Sequence, residues 1–385
     1  MALPRITMVN SLRILRVIVY RVGQAPFSNI PMTILTQRRR LLCSLFAGFC
    51  LPLESQSAQL DYAERDEVRL WAAQFSERYQ IDFSWTLNTL HQARYLEVAH
   101  KIMSRPKLTA TSTPKNWLAH RNMFLTAERI QSGVAFYREN AEALSLAYAK
   151  WHVPAEIITA VIGIETIYGK KMGRYLVIDA LCTLSFDYTR RAQFFRNELS
   201  AYLLWCNRTK RDPLAVRGSF AGAIGMCQFM PSSILQYGQD MDDDGDVDLI
   251  LSASDAIGSV GNYLSQAGWS RDLPLTWECE ANENIARELD CGGINTNTTL
   301  QNALDAGVLP REPISNPLKT PVLLVDLPIQ CKDGSSLTLW RLATQNYAAL
   351  LHYNQSYFYA ESVCELATKI AYHAGIAKAA DESAA

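Results

Sequence analysis

The sequence predicts a mainly helical α+β protein with one small β-containing insert. Apolar residues recur at three- and four-residue spacings from 62 to 148, which is the period of helices packed on a core. Between 154 and 269 similar patterns alternate with Gly-rich turns. Between 277 and 340 the chain changes to Asn, Gly and Pro with short β-prone runs such as 322–325, which indicates strands. A last helical pattern at about 357–373 closes the chain.

The composition is that of an ordinary globular protein. Of 385 residues, 49% are hydrophobic and 19% are charged. The chain can therefore bury a large core, and the disordered, collagen-like and disulfide-scaffold classes are excluded. The net charge of −1 argues against a nucleic-acid partner, because nucleic-acid binders carry a basic stripe. No internal repeat occurs, which excludes solenoids and propellers.

The N-terminal segment differs in charge from the rest of the chain. Residues 1–57 carry seven arginines and one acid, which leaves 30 basic and 37 acidic residues in 58–385. Arg38–Arg40 and the thirteen-residue apolar run 41–53 are typical of a secretory signal, and Ser57 suits the cleavage position. The apolar run is too short to span a bilayer. We therefore expect export. The alternative is a buried or membrane-surface N-terminal helix.

The cysteine pattern is compatible with export. Of nine cysteines, Cys43 and Cys50 would leave with the signal, and seven remain, so at least one has no partner within the chain. In an oxidising compartment Cys279, Cys291 and Cys331, in a loop-rich region, are the best candidates for a bridge. No C-x-x-C motif and no His/Cys cluster of zinc spacing is present, which argues against a zinc site.

Two apolar patterns predict the first helices. The residues expected to face the core are Val68, Leu70, Trp71, Phe75, Phe136, Ala141, Leu144 and Ala147. The polar segment 105–116 interrupts these helices and is predicted to be a loop.

A central helix is predicted to have Pro154 at its first helical position and to stop at Gly169. Glu165 continues the apolar stripe of Ile158 and Ile162 at helical spacing. Desolvation and the negative end of the helix dipole both disfavour the carboxylate and raise its pKa. A carboxylic acid that stays protonated near neutral pH suits general-acid cleavage of a glycosidic bond. The alternative is a buried structural Glu with a Tyr or backbone partner.

A Gly-rich segment follows at 218–233. Its three Gly and two Ala within eight positions surround Ser219 and precede Gln228, so a bulky polar ligand could approach the backbone closely. The alternative is a close-packed turn before a helix that starts at Pro231.

An acidic segment at 240–248 fits the start of an EF-hand loop. Asp240, Asp242 and Asp244 occupy positions 1, 3 and 5, and Gly245 occupies position 6. Position 12 is Leu251, so the usual bidentate Glu is missing. The alternative is a solvated acidic loop.

Together these stretches resemble the membrane-bound lytic murein transglycosylase B family of the lysozyme-like superfamily. The motifs that carry the resemblance are Gly163–Gly169 (GIETIYG), Asp179–Leu181, Leu184–Tyr188, Arg190–Arg191, Gly218–Ala223 (GSFAGA), Gln228–Ser233 (QFMPSS), Asp255–Ser259 and Tyr353–Asn354. They are long, ordered and specific, and the resemblance runs from about 65 to 375. It implies a lysozyme-like core.

The resemblance also implies a reaction. Glu165 would be the sole catalytic acid/base, protonating the oxygen between N-acetylmuramic acid (MurNAc) and N-acetylglucosamine (GlcNAc). It would then accept the proton of the muramoyl 6-hydroxyl as that group attacks C1, which leaves a 1,6-anhydro end. No second carboxylate is needed, because the nucleophile is tethered to the substrate. The nearest rival acid is Asp187, for which we expect a solvent-facing or capping role.

The resemblance further implies the substrate contacts. Ser219 and Gln228 would hydrogen-bond the sugar near Glu165. The residues expected to line the cleft are Tyr263, Tyr353, Asn354 and Tyr359. Arg190 and Arg191 would hold a peptide-stem or lactyl carboxylate, the alternative being an ion pair with a nearby acid.

In this family further acidic residues complete the coordination shell of a calcium ion. The corresponding ligand set here is Asp240, Asp242, Asp244, Asp246 and Asp255. The ion would be structural and would hold a loop beside the cleft. No organic cofactor is expected.

The expected organisation is an upstream segment with a signal at 1–57, a helical subdomain at 58–150, a lysozyme-like catalytic core at 151–275, a small mixed β insert at 276–345 and a C-terminal helix at 346–385 that completes the helical subdomain. We expect a periplasmic monomer, free or associated with the outer membrane, that acts on peptidoglycan strands as a lytic transglycosylase. The alternatives are a hydrolytic muramidase on the same fold and a non-catalytic peptidoglycan- or calcium-binding module.

Overall fold

The computed structural model describes residues 61–105 and 115–376. The predicted signal with Cys43 and Cys50, and most of the predicted polar loop 105–116, lie outside the described residues.

Helices dominate the described part of the chain. Its α-helices are α1 (Asp66–Tyr79), α2 (Phe83–Gln92), α3 (Glu97–Met103), α4 (Trp117–Phe124), α5 (Ala127–Glu139), α6 (Ala141–Trp151), α7 (Ala155–Thr166), α8 (Val177–Phe186), α9 (Ala192–Thr209), α10 (Pro231–Tyr237), α11 (Ala253–Gln266), α12 (Glu283–Glu288), α13 (Leu300–Asp305), α14 (Gln345–Tyr353) and α15 (Tyr357–Ala374). Short 3₁₀ helices span Tyr62–Glu64 and Thr189–Arg191. The strands are β1 (Tyr175–Leu176), β2 (Arg217–Gly218), β3 (Thr276–Glu280), β4 (Thr298–Thr299), β5 (Leu309–Pro310), β6 (Pro321–Gln330) and β7 (Ser336–Ala343).

Helix α7 lies at the centre of the helical part. It packs against α5, α6, α11 and α15. Ile158, Val161 and Ile162 are fully buried, as the predicted apolar stripe requires. A helix that contacts neighbours on several sides buries almost its whole surface, and here only a few positions keep access to solvent.

Both ends of α7 differ from the prediction by a few residues. Pro154 flanks the helix in an extended conformation, and the first helical residue is Ala155. At the other end the helix stops at Thr166, because Ile167 and Tyr168 adopt left-handed backbone conformations ahead of Gly169. Left-handed β-branched and aromatic residues are uncommon, so periodicity could not have located this stop.

The N-terminal helices bury most of the predicted apolar positions. Val68 and Phe75 are in the core, whereas Leu70 is 62% exposed and Ala141 is also exposed. The prediction was wrong for these two residues. Leu70 follows Val68 by two residues, which places it on a different face of α1.

A five-stranded antiparallel sheet occupies the region between α11 and α14. Its strand order is β4-β6-β7-β3-β5. Successive residues of β6 point to opposite faces, and both faces are covered. Leu323 and Val325 belong to the main core, whereas Val322 and Leu324 pack with Trp340 in a smaller core under α12 and α13.

A second, two-stranded sheet joins the segment after α7 to the Gly-rich segment. Strands β1 and β2 pair antiparallel, with Tyr175 opposite Gly218 and Leu176 opposite Arg217. This pairing brings the segment that follows α7 next to the start of the Gly-rich segment.

All seven cysteines in the described ranges are free thiols. Cys279 is buried in β3, the Sγ of Cys291 lies 3.1 Å from the carbonyl oxygen of Leu324, and Cys331 is exposed. The bridge expected among these three residues is therefore absent from the structure.

We predict that Gly163→Ala destabilises the fold. A Cβ at this position would lie 2.4 Å from the Oη of Tyr168, which folds back over α7. The ring must shift within a packed core, so the free energy of unfolding should fall by about 1–3 kcal/mol in urea denaturation.

The companion variant Tyr168→Phe tests the same contact. The hydroxyl of Tyr168 is buried without a hydrogen-bond partner, so its removal should change stability by less than about 1 kcal/mol. Unchanged stability in Gly163→Ala would contradict this account of the contact between Gly163 and Tyr168.

Candidate active site

Glu165 lies in the last turn of α7, where the buried helix first regains access to solvent. Its side chain is partly exposed, whereas Ile164 and Thr166 on either side are buried. Burial raises the pKa of Glu165 from 4.5 to about 7, and the nearby Tyr359 hydroxyl partly opposes this rise. Roughly half of such a group is protonated at neutral pH, so it can both donate and accept a proton.

The hydroxyl of Tyr359 interacts with the carboxyl group of Glu165. Ser356 caps α15 by accepting a hydrogen bond from the Tyr359 amide at 3.3 Å, which sets the first turn of that helix. The Tyr359 Oη is buried and has no partner of ordinary hydrogen-bond geometry in the described chain. Burial first, and then the charge of Glu165, raise the pKa of Tyr359. The phenol therefore keeps its proton and remains available as a donor.

Ser219 lies in the Gly-rich segment immediately after β2. Its Oγ accepts hydrogen bonds from the amides of Ala221 at 3.3 Å and Ala223 at 3.0 Å. These bonds curl the loop around the hydroxyl and leave its own proton free to donate to a ligand. Gly225 has a φ of +75°, and a Cβ there would lie 2.3 Å from the carbonyl oxygen of Leu249, so only glycine fits this turn.

Gln228 holds the loop together from within. Its Nε2 donates to the carbonyl oxygens of Met172 at 3.0 Å and Gly225 at 2.9 Å, and its own φ is +50°. Only the amide oxygen is left for a ligand. The sequence prediction of a sugar contact missed this second role, because Met172 lies far away along the chain.

An aromatic cluster forms the side of the site that faces α11 and α14. Its members are Phe229, Tyr237, Tyr263, Tyr353 and Tyr359. The rings of Tyr263 and Tyr353 are 4.8 Å apart at their centroids and inclined by 64°. Their hydroxyls donate to backbone carbonyls, Tyr263 to His352 at 2.8 Å and Tyr353 to Cys227 at 2.5 Å. These bonds fix the rings, so the partly exposed ring surfaces are what they offer to a ligand.

Two residues that sequence reasoning missed fix the end of α7. Thr166 is fully buried, and its Oγ1 donates to the Met226 carbonyl at 2.7 Å and accepts from the Gly169 amide at 3.0 Å. The buried Arg129 donates from Nε to the Gly163 carbonyl at 3.1 Å. Helix-end carbonyls need such donors. The partners come from α5 and the Gly-rich segment, and no local pattern signals them.

Three predicted substrate contacts lie at the surface. Arg190 and Arg191 are exposed in a 3₁₀ helix, and the Arg191 guanidinium lies 4.1 Å from the centre of the Phe194 ring. Neither arginine forms an ion pair in the part of the chain that the structure describes. Asn354 is exposed at the end of α14.

Asp187 is anchored by the N-terminal part of the chain. Its carboxylate accepts hydrogen bonds from the Tyr62 hydroxyl at 2.6 Å and from Arg65 at 2.8 Å. Asp187 occupies the C-cap position of α8, where its amide donates to the Thr183 carbonyl at 2.9 Å, whereas its carboxylate does not face solvent and ties the end of α8 to the first helices. Its contacts support the view that it does no chemistry.

The acidic loop between α10 and α11 gathers three of the five predicted metal ligands. Asp240, Asp242 and Asp244 each offer a carboxylate oxygen within 4.8 Å of the others. Carboxylate oxygens of the same residues also order the loop: Asp240 accepts from the Gly245 amide at 2.8 Å, and Asp242 accepts from the Ser252 hydroxyl at 2.7 Å. Three carboxylates at this separation match the oxygen ligands that calcium prefers.

The other two predicted ligands, Asp246 and Asp255, make contacts with protein groups instead. Asp246 forms an ion pair with Arg211. Asp255 is 1% exposed, and its two oxygens accept hydrogen bonds from the amides of Met241 at 2.8 Å and Asp248 at 2.7 Å. Asp255 therefore clamps the loop by its backbone, a role that motif spacing does not distinguish from metal ligation.

Known proteins resemble this chain over most of its length. Residues 65–368 match the family described as Transglycosylase SLT domain. Membrane-bound lytic murein transglycosylase B of Escherichia coli (strain K12) is 33% identical over 331 residues, which are 84% of this chain and 88% of that protein.

Two solved structures share the fold. The catenated lytic transglycosylase SltB1 from Pseudomonas aeruginosa is 32% identical with a TM-score of 0.75, covering 82% of this chain and 100% of that one. The Escherichia coli lytic transglycosylase Slt35 in complex with calcium is 31% identical with a TM-score of 0.71, covering 82% and 96%. The predicted mainly helical, lysozyme-like fold and the predicted family are thereby confirmed, and the chain belongs to the transglycosylase SLT domain family.

Proposed function

We propose that this chain is a peptidoglycan lytic transglycosylase that cleaves the MurNAc-GlcNAc β-1,4 bond and leaves a 1,6-anhydroMurNAc end. The observation that carries the proposal is the position and the pKa of Glu165. It lies in the last turn of α7, beside the Gly-rich segment and the aromatic cluster, and burial there raises its pKa to about 7. A group that exchanges a proton near neutral pH is what a single acid/base catalyst needs.

The proposed reaction has two proton transfers through the same carboxyl group. Protonated Glu165 donates to the bridging oxygen while the bond from that oxygen to C1 of MurNAc breaks, and the GlcNAc product leaves with a new hydroxyl. The carboxylate then accepts the proton of the muramoyl 6-hydroxyl as O6 bonds to C1. The carboxyl ends as it began, and no water is consumed.

The intramolecular route is favoured over hydrolysis because, among the residues that the structure describes, no second carboxylate acts on Glu165. Glycoside hydrolases usually place a second acid about 5–10 Å from the first to supply a nucleophile or to activate water. Within the described residues no other acid contributes to the pKa shift of Glu165. A nucleophile carried by the substrate removes that need.

The neighbouring groups have proposed roles in holding the sugars. The Ser219 hydroxyl donates and the Gln228 amide oxygen accepts. Tyr359 donates to Glu165 or to the sugar. The ring surfaces of Tyr263 and Tyr353 stack on sugar faces. Asn354 lines the cleft, and Arg190 and Arg191 hold a peptide-stem or lactyl carboxylate.

We further propose a structural calcium ion held by Asp240, Asp242 and Asp244, with Asp246 and Asp255 shaping the loop. The three carboxylates suit calcium, and Slt35 was solved in complex with it. When bound, the ion neutralises the repulsion among these side chains. It takes no part in the proton transfers.

The place of action is proposed to be the periplasm, with peptidoglycan as the partner and the outer membrane as a site of association. The secretory pattern at 1–57 supports export, and the Escherichia coli relative is named membrane-bound. Among the helices of 61–105 and 115–376, none is long and apolar enough to cross a bilayer. A monomer remains our expectation.

We predict that Glu165→Gln folds normally and loses at least about a hundredfold of turnover on isolated sacculi, because the amide cannot donate a proton to the leaving oxygen. Glu156→Gln, in the first turn of the same helix, is the matched control and should keep its activity.

Mass spectrometry of the released muropeptides distinguishes the alternatives. Products one water lighter than hydrolytic ones and resistant to borohydride reduction support the proposal. Reducible ends would make the chain a muramidase, and binding without release would make it a non-catalytic module.

The raised pKa of Glu165 also predicts a pH-dependent stability. The folded chain holds this proton more tightly than the unfolded chain, whose carboxyl titrates near 4.5. The associated stabilisation is present below pH 4.5 and is lost as the pH rises to about 7, a decrease of about 1–3 kcal/mol. Urea denaturation of the wild type from pH 4.5 to 8 should show this decrease relative to Glu165→Gln. Parallel profiles would contradict the shift.

We predict that calcium raises the melting temperature of the wild type by about 3–6 °C relative to a chelator. The double variant Asp240→Asn/Asp244→Asn should lose this response. Asp243→Asn is the matched control, because it removes one negative charge from the same loop outside the trio. An equal response in all three proteins would disprove the site.

A further inference from the structure

A group of uncompensated cations lies next to the proposed active site. Residues 166–178 and 213–239 together contain four basic side chains and no acidic one. Three of them, Lys171, Arg174 and Arg217, form what we call the basic edge. The proposed reaction uses none of them.

Backbone contacts place the basic edge beside the catalytic helix and Ser219. The Lys171 amide donates to the Thr166 carbonyl at 2.8 Å, so this lysine follows the end of α7 directly. Leu176 pairs with Arg217, and the same register extended by two residues brings Arg174 opposite Ser219. A Cβ on Gly173 would lie 2.6 Å from the Ser219 amide, which confirms the close approach of the two segments.

The charges of the basic edge have no acidic partner in the described residues. All three side chains are exposed. Arg217 donates from Nη1 to the Arg174 carbonyl at 2.7 Å, which holds its guanidinium at the start of β1. Lys170 differs, because its Nζ donates to the Ser132 hydroxyl on α5 at 2.9 Å. Like charges gathered without counter-charges repel each other and attract an anion.

We propose that the basic edge binds the carboxylates of the peptide stems carried by the glycan substrate. This inference rests on the proposed function. The sugars are uncharged where they meet Glu165 and Ser219, so the anionic groups on the same strand are those of the stems. Guanidinium groups bind carboxylates through paired hydrogen bonds, and the strand pair brings two arginines to one edge of the site.

The test compares two substrates that differ only in the stems. One is intact peptidoglycan, and the other is the same peptidoglycan after the carboxyl groups of its stems have been converted to neutral amides. For Arg174→Gln/Arg217→Gln we expect kcat/KM on the intact strands to fall about five- to tenfold, mainly through KM, and kcat/KM on the amidated strands to change less than about twofold. The loss should shrink at high salt, because exposed charges are screened.

Two further variants control for charge and structure. Lys170→Gln removes a neighbouring charge outside the basic edge and should behave as the wild type on both substrates. Arg174→Lys/Arg217→Lys keeps the charges and should recover part of the preference for intact strands. An equal loss on both substrates, or no loss, would overturn the inference. Failure of the wild type to release anhydro products from either substrate would overturn the proposed function and the inference with it.

Direct binding gives an independent readout. In the Glu165→Gln background, which binds without turnover, calorimetry with a free stem peptide should show weaker binding when the basic edge is neutralised. The same peptide with amidated carboxyl groups should bind weakly to both proteins. Equal affinity for the acid and the amide would contradict a carboxylate site.

Discussion

The structure depends on one constraint: the last turn of α7 must be removed from water while a single carboxyl group of that turn stays reachable. Neighbouring helices cover the rest of α7, and Arg129 and Thr166 supply polar partners where the helix ends. Without those partners, burial of the helix end would leave carbonyl groups unsatisfied. The environment that raises the pKa of Glu165 is thus a result of how the helix is packed and terminated.

Some polar side-chain groups of the cleft are bonded to the protein backbone, and others remain available to a ligand. The hydroxyls of Tyr263 and Tyr353 and the amide nitrogen of Gln228 are bonded to backbone carbonyls. The Tyr359 phenol and the Ser219 proton are not committed in this way. A site arranged like this presents few polar groups, each on a fixed support, which limits the entropy lost on binding.

The sequence patterns correctly predicted those structural features that depend on residues near each other in the chain. The apolar stripe of α7, the sheet run at 322–325 and the last helix at about 357–373 follow from residue periodicity, and the structure contains all three. The stop of α7 at Thr166 and the side-chain bonds of Gln228 and Asp255 depend on partners distant in sequence. Tyr359 reaches Glu165 only because α15 packs on α7, and the family resemblance, rather than any spacing, brought it into the prediction.

A positive charge of the protein, that of Arg211, neutralises only one end of the acidic loop. Arg211 pairs with Asp246 and lies 3.3 Å from Asp248, whereas Asp240, Asp242 and Asp244 face one another and form no ion pair with a basic residue of 61–105 or 115–376. One half of the loop is thus neutralised by the protein itself, and the other half depends on ions from the surroundings. Changes in ionic conditions therefore act on Asp240, Asp242 and Asp244, whereas the end of the loop beside Arg211 keeps its compensating charge.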